Sequence, residues 1–204
     1  MSFSFRIFSQ VFLPLLLVAG LPAPAWSQDA GPAGLQRVRF ETTIGAFTVE
    51  IDPARAPLTS VSFLQYVGAQ HYDGTIFHRV IGNFVIQGGG YLPDGVEKPV
   101  RGGVPNESGN GLSNRRGTVA LARTGDPHSG TSQFYVNVAD NIALDPSPAR
   151  WGYAVFGRVV EGMDVVDRIA SVATGSSGPF QEDAPLQPVV ISTARVVGEA
   201  ATPK

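Results

Sequence analysis

The sequence predicts a mainly β fold in which about eight short strands close into a barrel, accompanied by two α-helices. Three observations carry this. Short stretches of alternating apolar and polar residues recur along the chain, bounded by Gly, Pro, Asn or Asp. Two stretches repeat instead at helical spacing. The 24 glycines and 16 prolines among 204 residues suit many turns between strands. Closure removes the exposed edges that so many strands would otherwise leave. The length suits one domain, and 43% hydrophobic residues are enough to bury a core.

The first segment stands outside that fold. Arg6 precedes an apolar run from Val11 to Ala19, and small residues follow through Ala25 and Ser27. This is the pattern of a secretory signal over 1–27, with cleavage before Gln28 or after Ala25. An uncleaved anchor is the competing reading, but the apolar run is short for a span of about 20 residues and Pro14 breaks it. Residues 28–36 read as a loose lead-in.

The folded domain is expected over 37–198. Val38, Phe40 and Thr42 alternate with Arg39, Glu41 and Thr43, and the alternation resumes through Phe47, Val49 and Ile51. A hairpin turning near Gly45 accounts for this. Leu58 to Ala69 carries Val61, Leu64 and Val67 at helical spacing, with Pro57 at a first helical position and Gly68 near the end. Residues 91–116 are rich in Gly, Pro, Asn and Ser and read as a long loop. Strands are expected at Gly117–Ala122, Gln133–Val138, Ala154–Val160 and Val189–Val197, with a second helix at Met163–Ala170. Ser176 to Pro188 reads as a loop, and 199–204 as a tail.

The stretch that organises the rest is Phe77 to Gly90, FHRVIGNFVIQGGG. It reads as two strands that bend at Gly82-Asn83 and end at the triple glycine. In a regular second strand Val85 and Gln87 face one side, and Phe84 and Ile86 the other. Arg79 and Gln87 then lie on adjacent segments and can meet across the sheet surface. An Arg and a Gln among aromatics suggest an apolar site with a few placed donors; the plainer reading is an edge-strand Arg and a Gln facing water.

Composition narrows the chemistry. The formal net charge is −2, so no basic excess drives nucleic-acid binding; losing Arg6 with the signal takes the chain to about −3. Cysteine is absent, which removes disulfides, thiolate metal sites and cysteine nucleophiles. The histidines show no metal-ligand spacing. His71 and His128 sit in turn-like sequence and are expected to be solvated; His78 reads as a structural strand residue.

FHRVIGNFVIQGGG, followed in order by TSQFYVNV and YAVFGRVVEGMDVVDRI, resembles the cyclophilins, a family of peptidyl-prolyl cis-trans isomerases. The resemblance runs from about Val38 to Val197 and, with the secretory signal, is greatest to the periplasmic cyclophilins of Gram-negative bacteria. It implies a closed eight-stranded antiparallel barrel capped by two α-helices. It also implies a periplasmic isomerase for X-Pro bonds in exported polypeptides, with no cofactor or metal. From the charge and the signal, no nucleic-acid partner and no membrane association after cleavage are expected. Nothing in the sequence suggests an obligate interface, so a monomer is expected. By motif position, Arg79 matches the family's catalytic arginine and Gln87 a neighbour on the same strand, which is taken with Arg79 as the catalytic pair. Phe84, Val85, Gln133, Tyr135, Leu144 and Tyr153 match the substrate pocket and its rim, and Thr124 with Gly125 a loop that touches the substrate backbone. The chain departs from the animal cytosolic pattern in several places. Gly82-Asn83 replaces Pro-Gly, Val85 a common Met, and Tyr135 a Phe, which adds a hydroxyl at the proline pocket. Ala143 stands where those members carry Trp, so weak binding of cyclosporin is expected.

The chemistry asks for such residues. Amide resonance sets a rotation barrier of about 18–20 kcal/mol, and a catalyst must favour the twisted state, in which nitrogen regains a lone pair. An apolar pocket of Phe84, Val85, Tyr135 and Leu144 would hold the proline ring. Arg79 would donate to the developing lone pair, a bond the planar ground state cannot make. Gln87 would orient the guanidinium or hold a substrate carbonyl. Two other classes compete: a peptide-binding module using the groove without turnover, and a lipocalin-like barrel with a central ligand cavity. The Phe, Val and Ile on the strands predict a filled interior and a site on the outer wall.

Overall fold

The computed structural model describes residues 35–199 and Met1. The predicted signal, most of the lead-in and the tail beyond Glu199 lie outside the described residues.

Ten strands and two α-helices follow in the order β1 (Gln36–Thr42), β2 (Gly45–Ile51), α1 (Pro57–Gly68), β3 (Phe77–Ile81), β4 (Val85–Gly88), β5 (Thr118–Leu121), β6 (Phe134–Asn137), a 3-10 turn (Ile142–Leu144), β7 (Val155–Glu161), α2 (Met163–Ala170), β8 (Thr174–Ser177), β9 (Phe180–Pro185) and β10 (Ile191–Glu199). Eight of the strands form one antiparallel sheet in the order β10-β1-β2-β7-β5-β6-β4-β3.

The sheet curls into a half-barrel, short of the full closure the sequence predicts. Its edge strands β3 and β10 share no ladder. They approach where Ile76 bridges Val190, with the Phe77 N–H donating to the Val189 carbonyl at 3.0 Å and the Ile191 N–H to that of Thr75 at 2.7 Å. The edge at β3 is managed differently. Residues expected to be a loop form the hairpin β8–β9, and β9 packs alongside β3. Polar and small residues such as Thr174, Gly175 and Ser176 gave that hairpin no apolar alternation to read. Phe180 anchors it against the rings of His78 and Tyr91, with centroids 5.4 and 5.1 Å away.

Period-2 alternation gives the curled sheet two faces. The inner face is the core. Phe40 stacks on Phe47 at 5.0 Å and meets Phe134 at 5.3 Å, and Phe63 of α1 meets Phe156 at 4.9 Å. These fully buried rings fill the interior, which removes the lipocalin-like reading. Helix α2 packs with Val165, Val166 and Ile169 buried.

Helix α1 starts at Pro57 without a side-chain cap from Ala56. The Glu107 carboxylate, from the long loop, takes that role. It accepts from the N–H groups of Leu58 (3.0 Å) and Thr59 (2.8 Å) and from the Thr59 hydroxyl (2.7 Å). An acid at a helix N-terminus satisfies orphan donors and complements the helix dipole, and here it also ties the long loop to the fold.

Two histidines are inside. His71, expected in solvent, is buried; its Nε2 lies 3.2 Å from the Gly89 carbonyl, and burial lowers its pKa. The turn sequence gave no sign that Tyr66 and Tyr72 would pack around its ring. His78 is a structural strand residue, as expected. Burial, with Arg79 adjacent, lowers its pKa to about 4, and its Nδ1 has no partner among the described residues. The folded state therefore refuses a proton that the unfolded chain accepts near pH 6.5. Stability should be complete above that pH and fall as pH drops from about 6.5 to about 4, by on the order of 3 kcal/mol from this residue. Thermal melts across that range should show the decline. His78→Phe, which keeps a ring against Tyr91 and Phe180, should flatten it; an unchanged slope would assign the proton uptake elsewhere.

Candidate functional site on the outer face of the sheet

Strand register builds the site. Arg79 on β3 pairs with Gln87 on β4, Gln87 with Tyr135 on β6, Tyr135 with Ala120 on β5, and Ala120 with Val155 on β7. One residue from each of five strands therefore stands in a row on the outer face. Val85, two positions before Gln87, joins them. Val85, Ala120, Ala122, Tyr135 and Val155 form a second apolar cluster, separate from the core, with Phe84, Leu112, Leu144 and Tyr153 packed on it.

Over this floor lies a cleft of about 370 Å³ lined by Arg79, Phe84, Val85, Gln87, Ala122, Arg123, Tyr135, Leu144 and Tyr153. Phe84 shares the side of Val85, contrary to the alternation expected of it. It precedes β4 and follows Asn83 at φ +58°, so the strand period does not govern it. The Arg79 guanidinium stands 5.9 Å from its ring centroid.

Arg79 and Gln87 are cross-strand neighbours, but the Gln87 amide donates to the Gln133 Oε1 at 3.0 Å, coupling those two side chains. The third glycine of the triple makes room for this pair: a Cβ on Gly90 would lie 2.7 Å from the Gln133 side chain. Around the guanidinium, the one carboxylate in ion-pair range among the described residues is Asp183 of β9, 3.8 Å from Nε.

The pocket walls are held from behind by buried amides. The Tyr135 hydroxyl donates to the Asn114 Oδ1 at 2.7 Å, so it is satisfied within the protein instead of standing free at the pocket. Burial raises the phenol pKa. Asn114 and its backbone N–H both donate to Asp145, beside Leu144. Asn141 donates to the Phe84 carbonyl at 2.8 Å and to Asn137 at 2.7 Å. Burial tends to raise the Asp145 pKa, but hydrogen bonds from Ser113 and Asn114 leave it lowered.

The structure thus brings Arg79, Phe84, Val85, Gln87, Tyr135, Leu144 and Tyr153 into one cleft, with Gln133 adjoining through Gln87. Thr124, Gly125 and Ala143 are exposed and stand outside the lining. Sequence reasoning missed Arg123, whose guanidinium lies 4.4 Å from the Tyr153 ring centroid while donating to the carbonyls of Thr124, Trp151 and Gly152. Its place directly after a strand was the available signal. Asn114 and Asp183 carried none, being polar residues in loop-like sequence.

Residues 37–196 match the family model for cyclophilin type peptidyl-prolyl cis-trans isomerase/CLD. The chain is 53% identical over 167 residues to the peptidyl-prolyl cis-trans isomerase cyp18 of Streptomyces antibioticus, covering 80% of this chain and 100% of that one. It is 43% identical over 192 residues to peptidyl-prolyl cis-trans isomerase A of Dickeya dadantii, covering 94% and 97%. Among solved structures, a cyclophilin type isomerase of Cryptosporidium parvum, crystallised in the presence of the dipeptide Ala-Pro, superposes with a TM-score of 0.66 at 22% identity, covering 80% of this chain and 100% of that one. Joined to the curled sheet and its outer cleft, these matches show that the chain belongs to the cyclophilin-type peptidyl-prolyl cis-trans isomerases.

Proposed function

We propose that this isomerase works at the outer cleft, with Arg79 as the transition-state donor and Phe84, Val85, Tyr135 and Leu144 as the seat of the proline ring. The observation that carries the reading is the register row: it sets a guanidinium at one end of an apolar floor, with paired amides beside it. An apolar seat strips water from the X-Pro amide and favours the twisted form, in which charge separation is lost. Arg79 then donates to the nitrogen lone pair that appears only on twisting. The Gln87–Gln133 pair is suited to holding a substrate carbonyl. Tyr153, Thr124, Gly125 and Ala143 contact the chain on either side of the proline. The presence of Ala-Pro with the C. parvum neighbour supports a proline-containing peptide as the occupant.

Gln87→Ala should reduce catalytic efficiency on a short X-Pro peptide by less than Arg79→Ala does, because Gln87 positions substrate while Arg79 makes the bond specific to the transition state. Equal losses would mean that the two act as one unit.

The physiological substrates we propose are X-Pro bonds of exported polypeptides, met by a monomer in the periplasm after removal of 1–27. The support is the Arg6, apolar-run and small-residue pattern. N-terminal sequencing of protein recovered from the periplasm should begin at Gln28; Met1 retained on membrane-bound protein would overturn the export reading.

A further inference from the structure

We propose that Asp183, carried by the β8–β9 hairpin, is the positioning residue that aims the Arg79 guanidinium into the cleft. The inference rests on the reading of Arg79 as the transition-state donor. Gln87, the residue expected to orient that guanidinium, is committed to Gln133. The Asp183 Oδ2, 3.8 Å from the Arg79 Nε, is the carboxylate in range among the described residues. Asp183 does not line the cleft, whereas Arg79 does, so the carboxylate acts on the guanidinium from outside the substrate's space. A planar guanidinium drawn toward a carboxylate on its Nε edge keeps the end-on fork of its two Nη groups available. A long side chain held this way loses less rotamer freedom when it engages the twisted amide.

The backbone supplies an independent observation. Asp183 sits at φ +57°, a left-handed conformation that Asp tolerates better than most L-residues, in β9 where the register with β8 shifts between Ala184 and Phe180. Conformations of this kind persist where the surroundings over-determine them, and they concentrate at working sites. Here the surroundings are the Phe180 anchor against His78 and Tyr91, and Ala184 and Pro185, which are buried. The hairpin that covers the β3 edge thereby also delivers a carboxylate to that strand's arginine. Both side chains are partly exposed, at 41% and 34%, so solvent screens the pair and its effect is modest.

The test is a two-by-two cycle of Asp183→Asn and Arg79→Ala, with kcat and KM measured separately on an X-Pro peptide at low and high salt. Asn tolerates the left-handed conformation, so Asp183→Asn preserves the fold while removing the charge. Expected is a kcat lowered about threefold to fivefold with KM little changed, no further loss in the Arg79→Ala background, and a salt dependence of kcat weaker than in the parent. Wild-type kcat in Asp183→Asn, with Arg79→Ala lowered as expected, would overturn the positioning role alone. An equal loss in both backgrounds would do the same, by showing that the carboxylate does not act through Arg79. An Arg79→Ala protein with near wild-type turnover would overturn the reading of Arg79 and this proposal with it.

Discussion

Arg79→Ala is expected to lower kcat/KM on a short X-Pro peptide by on the order of a hundredfold or more, since a single transition-state donor is worth about 2.7–4 kcal/mol. The fold should survive. The Arg79 side chain is 41% exposed and projects from the outer face, while its neighbours Phe77 and Val80 fill the core. Its ion pair with Asp183 is partly solvated, so losing it costs little stability. The proline seat is built by other residues and should remain, so peptide affinity should change less than turnover. Arg79→Lys should restore little. Lysine keeps the charge but lacks the planar fork, and so cannot meet Asp183 through Nε while presenting further donors to the amide. A folded Arg79→Ala protein with near-normal kcat/KM would leave a peptide-binding groove with its chemistry elsewhere.

Asn114→Ala is expected to have the largest effect on stability of any single change at the site. Asn114 is fully buried and accepts from the Tyr135 hydroxyl and the Asn137 amide while donating to Asp145. Removing its side chain leaves the Tyr135 hydroxyl unpartnered and takes one hydrogen bond each from Asn137 and Asp145. A buried polar group left unsatisfied costs about 1–3 kcal/mol, so the loss should reach about 3 kcal/mol, read as a lower urea midpoint. Tyr135 and Leu144 both rest on this network, so KM should rise more than kcat falls. Tyr135→Phe in the Asn114→Ala background should recover part of the loss, because it deletes the orphaned hydroxyl. Additive losses in the double variant would show that the two groups are not coupled.

Much of the fold was legible because alternation and helical spacing are local signals. Helix α2 falls at Met163–Ala170, where its spacing put it, and α1 begins at the expected Pro57. The expected meeting of Arg79 and Gln87 is a cross-strand pair. What escaped the sequence depends on contacts between distant segments. The β8–β9 hairpin has little apolar alternation of its own and is fixed by Phe180 reaching His78 and Tyr91. Glu107 as the cap of α1 joins residues about fifty positions apart, and Asn114 is a loop residue until Tyr135 and Asp145 close around it. The edge at β3 could be solved by closure or by cover. Sequence periodicity does not distinguish the two, because both solutions use the same strands.

The most direct test of where this isomerase works is exchange NMR of a short X-Pro peptide titrated into the wild-type and Arg79→Ala proteins, with amide shifts of the protein followed in the same samples. In both proteins, peptide-induced shifts should gather at Phe84, Val85, Tyr135 and Leu144, and Arg79→Ala should accelerate cis-trans exchange of the peptide on the order of a hundredfold less than the wild type does. Exchange accelerated nearly as much by folded Arg79→Ala protein as by the wild type would contradict the account. So would shifts gathered instead at another cavity, such as that of about 230 Å³ lined by Glu50, Leu112 and Arg158.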